Sequence, residues 1–349
     1  MQRIKVNTKK SYEIVLAKDY SLVLEEIKKV FFGQKILIVS DDKVFPLYGK
    51  NVIDVLGEYD VYKYVIKNGE ASKNVQNYIN IIDFLAENKF CRKDLVVALG
   101  GGVVGDLAGF CASTFERGIN FISLPTTLLS MVDSSVGGKT AIDLKQGKNL
   151  LGSFYQPSLV YVNTECLKTL DDSEVTNGMG EIIKYAFISK EKVLEQIQEN
   201  NIEKLISTCL KIKAKVVEED EFENNNRMIL NFGHTIGHAI ESLSNYSLSH
   251  GLCVAKGINA IIDISSKYYN LDEKIRRELK NLLNVYSFDL SIPYKKEEII
   301  NKIYSDKKAE GSKTNIVLTR GIGKVKIEQI EIEKLKELLS WSVIYIPQQ

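Results

Sequence analysis

Asp94-Leu-Val-Val-Ala-Leu99, running directly into Gly100-Gly-Gly-Val-Val-Gly105, is the stretch on which the fold turns. An unbroken apolar run of this length, without polar alternation, is the pattern of a strand covered on both faces, as in a parallel sheet. The glycines that follow leave the backbone bare at the strand's carboxyl end. The small-residue run Val103–Phe115 then reads as a helix. A strand, a glycine turn and a helix make a phosphate cradle, because unpaired N–H groups at a helix N-terminus attract an anion. Gly100, Gly102 and Gly105 satisfy G-x-G-x-x-G, although the run follows a late strand instead of the first. A tight turn with close helix packing explains the same glycines without a ligand.

The neighbouring segments continue the alternation. Upstream lie a short apolar run at Tyr12–Leu16, a helical pattern at Leu22–Phe31, a β-branched run at Lys35–Ser40 and a strand pattern at Val61–Ile66. A helix is expected from Ala71 to Glu87, with Ile79, Ile82 and Leu85 among its apolar positions. Downstream, Asn120–Leu124 and Leu159–Val162 complete the strand set. Strands alternating with helices imply an α/β sheet that takes ligands at the carboxyl ends of its strands. Asp41, at the tip of the Lys35–Ser40 strand, is the candidate acid for a ribose, and a plain turn aspartate is the alternative.

Past Leu170 the character changes. Ser173–Phe187, Lys192–Gln198, Ile202–Glu219, Met228–Leu243, Gly251–Tyr268 and Leu271–Leu283 all read as helices. Val254–Ser265 is apolar nearly all round, as in a buried central helix. Asn315–Arg320 and Lys324–Ile327 flank Gly321-Ile-Gly323 as a hairpin, and Ile332–Leu339 closes with an amphipathic helix. The division is therefore a nucleotide-type α/β domain over residues 1–170 and a mostly α-helical domain over 171–349. A cleft between them is the expected place for a site.

Bulk properties narrow the function. A net charge of +1 gives no broad basic field for nucleic acid. Cys91, Cys111, Cys166, Cys209 and Cys253 are scattered without a CxxC pair, which suits thiols in a reducing cytosol better than a disulfide framework or a zinc finger. The first residues lack the apolar core of a signal peptide, and no run approaches the ~18 apolar residues that span a bilayer. The expectation is a cytoplasmic protein that binds neither nucleic acid nor membrane.

The chemistry concentrates around three histidines, all that the chain contains. His234 and His238 are four apart and share a helical face, and His250 follows in Ser249-His-Gly251. Imidazole suits both a transition metal and proton transfer near neutral pH. Surface histidines are the alternative, but Gly233, Gly237 and Gly251 beside them suggest that backbone or ligand comes close. Glu181 follows two glycines in Asn177-Gly-Met-Gly-Glu181 and pairs at i,i+3 with Lys184. With His234 and His250 it makes a three-ligand set with positions left open, as a catalytic metal requires. Ser135-Val-Gly-Gly-Lys139-Thr140 resembles the end of a Walker A loop, but Asp133 stands where its first glycine belongs. The glycine pair beside Lys139, with Lys148 and Asn149 further on, still suits an anion, and a solvated loop is the plain alternative.

Several motifs occur in order along nearly the whole chain: GGGVVGDLAGFCASTFERG from Gly100, SLPTTLLSMVDSSVGGKTAID from Ser123, GKNLLGSFYQP from Gly147, NGMGEIIKYA from Asn177, RMILNFGHTIGHAIE from Arg227, LSHGLCVAKG from Leu248 and SDKKAEG from Ser305. Together they resemble the 3-dehydroquinate synthase family of sugar-phosphate cyclases. The resemblance implies a Rossmann-like NAD-binding domain, a helical metal- and substrate-binding domain and a homodimer. It implies catalytic NAD and one divalent metal, zinc with cobalt as a substitute. It further implies conversion of 3-deoxy-D-arabino-heptulosonate 7-phosphate, a phosphorylated sugar acid, to 3-dehydroquinate and phosphate in the shikimate pathway of aromatic amino acid biosynthesis.

Carried over position by position, the resemblance puts Glu181, His234 and His250 on the metal and makes His238 the acid/base at the C5 hydroxyl. Asp133 and Lys139 meet substrate hydroxyls and phosphate, Asn149 and Lys307 bind phosphate, and Arg117 reaches in from a second subunit. Lys213, Arg227 and Asn231 take the carboxylate end, and Lys184 belongs to the same catalytic set. NAD falls to Asp41, Glu70, Lys73, Gly101, Gly102, Val103, Asp106, Thr126, Thr127, Lys139 and Lys148. The chain departs from the family at Leu252, where glutamate is usual, and in the loop Phe222-Glu-Asn-Asn-Asn226 before Arg227. An amino-dehydroquinate synthase would differ only in substrate. A metal-dependent alcohol or glycerol dehydrogenase would release net NADH and has no use for the anion sites.

Overall fold

The structure, a computed structural model, describes residues 1–199, 201–284, 288–306 and 312–339. The chain divides into two compact units: Met1–Asp171 with Lys213–Phe222, and Asp172–Ile212 with the chain from Glu223 onward.

The first unit follows the order β1 (Gln2–Val6), β2 (Tyr12–Ala17), α1 (Val23–Val30), β3 (Lys35–Asp41), α2 (Lys50–Val55), β4 (Asp60–Ile66), α3 (Val75–Glu87), β5 (Leu95–Gly100), α4 (Gly102–Thr114), β6 (Asn120–Pro125), β7 (Lys139–Leu144), β8 (Gly147–Phe154) and β9 (Leu159–Asn163). Seven strands form one sheet in the order β1-β2-β9-β6-β5-β3-β4. Only β1 and β2 pair antiparallel; the remaining neighbours are parallel. Strand β5 lies between β3 and β6, pairing Leu95 with Ile36 on one side and Asn120 on the other. All six of its residues are buried, which is why its sequence does not alternate. Leu37, Val39, Val96 and Ala98 share a core cluster with Leu107, Ala108 and Phe110 of α4. Each large apolar side chain buried there stabilises the unit by about 1.5–3 kcal/mol relative to exposure.

The chain lays β4 on one side of β3 and β5 on the other. That reversal opens a crevice at the carboxyl ends of β3 and β5, where Asp41 and the Gly100–Gly102 turn stand. Three details of this unit differ from the sequence reading. The helix expected from Ala71 begins at Val75, with a 3-10 turn over Glu70–Ser72 and the Asn74 side chain capping it by accepting from Asn77 N. The Lys139–Phe154 region is a two-stranded ribbon, β7 with β8, instead of a loop. Thr140 and Ile142 alternate inward along β7, a period-two signal overshadowed by the glycine pair before it. Finally, Lys213–Phe222 joins the first unit although it lies beyond residue 170. Polar contacts explain this: the Lys213 ammonium donates to Asp133, Asn7 donates to Glu218, and Gln156 donates to Glu221.

The second unit contains α5 (Asp172–Ile188), α6 (Val193–Gln198), the first half of α7 (Ile202–Glu219), α8 (His234–Leu243), α9 (His250–Tyr269), α10 (Glu273–Asn284), α11 (Lys296–Asp306), the hairpin β10 (Lys313–Thr319) with β11 (Val325–Glu331), and α12 (Ile332–Leu338). Helix α9 is buried along most of its length, as its all-round apolar sequence requires. The helix expected over Met228–Leu243 is broken. A 3-10 turn over Asn226–Asn231 ends at Phe232, and α8 starts after Gly233, whose φ of 82° is left-handed. Among the described residues no helix is long and apolar enough to cross a membrane.

Candidate active site

The metal-ligand set assembles within the second unit. Glu181 stands on α5, His234 opens α8 and His250 opens α9. One ligand atom from each lies within 4.8 Å of the others. Glu181 Oε1 is 3.3 Å from His234 Nε2 and 3.2 Å from His250 Nε2. His234 Nδ1 lies 3.2 Å from the Phe232 carbonyl, so Nδ1 carries the proton and Nε2 keeps a lone pair for the cluster. Lys184, 1 % exposed, pairs with Oε2 of the wholly buried Glu181. Burial works against a charge on Glu181, but Lys184, ahead of His234 and His250, outweighs it and holds the carboxyl well below its usual range. Two imidazole nitrogens and one carboxylate oxygen, with an open side, fit a catalytic divalent metal.

His238 sits beside this set, its ring centroid 5.1 Å from that of His234 and 5.8 Å from that of His250. His238 is an exposed residue whose imidazole is nonetheless crowded by the protein around it. That crowding, and next the neighbouring His234 and His250, hold its pKa below the ordinary histidine range. His238 is therefore neutral at pH 7 and able to accept a proton.

The glycines flanking the histidines serve backbone packing. A Cβ on Gly251 would lie 1.8 Å from the Asn177 carbonyl oxygen of α5, and one on Gly233 would lie 3.0 Å from the Val254 carbonyl oxygen of α9. The Gly251 N–H also donates to Asn177 Oδ1 at 2.6 Å, which caps the start of α9 from α5. Helices α5, α8 and α9 thus meet almost backbone to backbone where they carry the ligands. Arg227 is buried in the 3-10 turn before α8, and Asn231 at the end of that turn donates to Glu223 at 2.8 Å.

The first unit holds the remaining candidates. Gly101, Gly102, Asp106, Ser134, Lys139 and Tyr155 line an open cleft at the N-terminus of α4. Val103 is in the first turn of that helix, and Thr126 and Thr127 follow β6. The buried Thr126 hydroxyl makes no hydrogen bond among the described residues. An orphaned hydroxyl and bare helix N–H groups beside one cleft fit the phosphates and sugar of a dinucleotide.

Lys73 is buried among carboxylates, 3.0 Å from Glu70, 3.2 Å from Asp106 and 3.9 Å from Asp143. Burial opposes its charge, but Asp106, Glu70 and Asp143 prevail and raise its pKa. Lys148 lies 3.5 Å from Glu70. Burial pushes the Asp106 carboxyl up to about 6 against the pull of Lys73. Asp41 Oδ1 accepts from Lys43 N and Val44 N, so the turn role of this aspartate is realised. Asp133 pairs with Lys213. Lys139 is exposed on β7, and Asn149 stands at φ 56° with its N–H donating to Asp143. Arg117 is exposed in a 3-10 turn at φ 66°. Lys307 lies outside the described residues.

Three residues of these clusters escaped the sequence reading: Asp143 beside Lys73, Asn177 of α5, which accepts from Gly251 N at the start of α9, and Glu241, whose Oε2 is 3.3 Å from His250 Nδ1. All three stand inside the motifs that carry the family resemblance, which was the available signal.

A parallel α/β unit and a helical unit with a two-histidine, one-carboxylate cluster are an architecture shared with solved sugar-phosphate cyclases and, less closely, with an iron-containing alcohol dehydrogenase. A solved 2-deoxy-scyllo-inosose synthase, complexed with carbaglucose-6-phosphate, NAD+ and Co2+, matches with a TM-score of 0.88 and 25% identity, over 97% of this chain and 99% of its own. Residues 63–177 match the 3-dehydroquinate synthase N-terminal family and residues 178–309 the 3-dehydroquinate synthase C-terminal family. The 3-dehydroquinate synthase of Clostridium acetobutylicum is 44% identical over 94% of this chain and 96% of its own length. That of Clostridium botulinum (strain Alaska E43 / Type E3) is 43% identical over 96% and 100%. The chain belongs to the 3-dehydroquinate synthase family.

Proposed function

We propose that the chain converts 3-deoxy-D-arabino-heptulosonate 7-phosphate to 3-dehydroquinate and phosphate. The observation that carries this reading is the convergence of Glu181, His234 and His250, with His238 beside them, in a chain so similar to 3-dehydroquinate synthases. A divalent metal on that triad, zinc with cobalt as a substitute, supplies Lewis-acid polarisation of substrate oxygens. NAD in the α4 cleft supplies reversible oxidation at the substrate's C5.

The chain's own residues bind, orient and move protons. His238 takes the C5 hydroxyl proton and later returns it. Lys184 keeps the second oxygen of Glu181 neutralised, so that the first faces the histidines. Lys139, Asn149 and Lys307 bind the phosphate, with Arg117 contributed by the second subunit of a homodimer. Asp133 meets substrate hydroxyls, and Lys213, Arg227 and Asn231 bind the carboxylate. Asp41, Glu70, Lys73, Gly101, Gly102, Val103, Asp106, Thr126, Thr127, Lys139 and Lys148 hold NAD, so the first unit is the nucleotide-binding domain. Cytoplasmic synthesis of an aromatic precursor fits the scattered thiols and the absence of a membrane-length helix among the described residues.

The test measures phosphate, 3-dehydroquinate and NADH together, using purified protein, zinc and catalytic NAD. Equal phosphate and 3-dehydroquinate, many turnovers per NAD and no net NADH are expected. Absence of phosphate release from folded, zinc- and NAD-loaded protein would refute the substrate.

A further inference from the structure

Glu241 lies on α8 one turn beyond His238, is 6 % exposed, and directs Oε2 to within 3.3 Å of His250 Nδ1. The opposite ring nitrogen, Nε2, lies 3.2 Å from Glu181. An ionised carboxylate only accepts hydrogen bonds, so a Glu241 contact places a proton on Nδ1 and leaves Nε2 to act as a ligand. His250 opens α9 and is partly exposed, so its ring lacks the enclosure that holds His234. The backbone carbonyl that orients His234 has its counterpart here in a side chain from another helix.

We infer that Glu241 is the positioning residue for His250, fixing its tautomer and ring plane so that Nε2 meets the metal shared with Glu181 and His234. The inference rests on the metal reading proposed above. A rival arrangement exists, since His238, Glu241 and His250 also bring ligand atoms within 4.8 Å of one another. The geometry favours the outer role. The Glu181 set receives Nε2 from both histidines and has its carboxylate backed by Lys184, whereas the rival set would use the solvent-facing His238. Carboxylates behind a ligating histidine set ring orientation and ligand basicity, and losing one costs about 10- to 100-fold in metal affinity.

The test uses full-length apoprotein of wild type, Glu241→Gln and Glu241→Ala. Zn2+ and Co2+ affinities are measured by competition with a chelating dye, and the visible absorption of the Co2+ form is recorded. Glu241→Gln keeps the shape and an accepting oxygen, so it is expected to bind about 10-fold more weakly; Glu241→Ala is expected to approach about 100-fold. The cobalt bands should stay in place, because the ligand set is unchanged. Binding within twofold of wild type in folded Glu241→Gln would overturn the inference. So would cobalt bands shifted to a different coordination number, which would make Glu241 a ligand. Failure of the wild type to take up either ion would instead refute the metal reading, and the inference with it.

Discussion

Gly251→Ala is the sharpest test of how the helices hold the ligands. The new Cβ would stand 1.8 Å from the Asn177 carbonyl oxygen and 2.7 Å from its carbonyl carbon, against 3.4 Å or more for ordinary contact. The obstacle is backbone inside α5, so no side chain can swing aside. Overpacking of this kind costs about 1–3 kcal/mol or more. The better helix propensity of alanine returns about 1 kcal/mol. Taking the upper end of the overpacking range leaves a loss of about 2 kcal/mol, or roughly 3 °C in Tm for a chain of this length. The effect on the metal should be larger than the effect on stability. His250 is the adjacent residue, and metal sites tolerate ligand displacements of only about 0.2 Å. Separation of α9 from α5 also stretches the Gly251 N–H bond to Asn177. We expect Zn2+ affinity, measured by chelator competition, to fall at least as far as in Glu241→Ala. A Gly251→Ala protein with wild-type Tm and wild-type zinc affinity would refute the backbone-contact argument.

Lys184→Met strands the buried Glu181 carboxylate and should cost about 3–5 kcal/mol in urea unfolding of the apoprotein; a loss under 1 kcal/mol would mean that the ion pair is not what compensates Glu181. Gly105→Ala places a methyl in open space on α4, with nothing within 4 Å. It should stabilise the protein by about 0.5–1 kcal/mol while raising the Kd for NAD in a fluorescence titration, and unchanged NAD affinity would remove this turn from the cofactor site. Because His238 has a lowered pKa, its base form persists as pH falls through the ordinary histidine range. The acid limb of kcat assigned to it should lie below the ~6.5 of a free histidine. A limb above pH 7 that disappears in His238→Asn would contradict that assignment.

The parts of the site visible in sequence are those where residue type alone limits the role. Three histidines within seventeen positions have few readings, and an all-apolar strand ending in three glycines has fewer. Glu241 was opaque because a glutamate on a helix is usually a solvated residue. Only the return of the chain through Ser249 brings His250 against it. Asp143 was hidden for a similar reason, since its partner Lys73 lies seventy residues away and they meet when β7 passes α3. The break at Gly233 was missed because hydrophobic spacing continues across it; a left-handed φ disrupts the backbone without disturbing the pattern. Asp41 carries both of its readings at once: Oδ1 accepts from the turn that follows β3, and a carboxylate has a second oxygen for a ribose.

The attachment of Lys213–Phe222 to the first unit bears on how this chain is made. During synthesis the nine strands of that unit leave the ribosome before α5 and α6, yet the Lys213 ammonium that meets Asp133 emerges only after them. Until then Asp133, Asn7 and Gln156 lack these partners. A fragment ending at residue 171 would hold the whole parallel sheet and still be unfinished. Dissection of the protein at that boundary should therefore give a first half that needs the Lys213–Phe222 segment supplied in trans to reach its native stability.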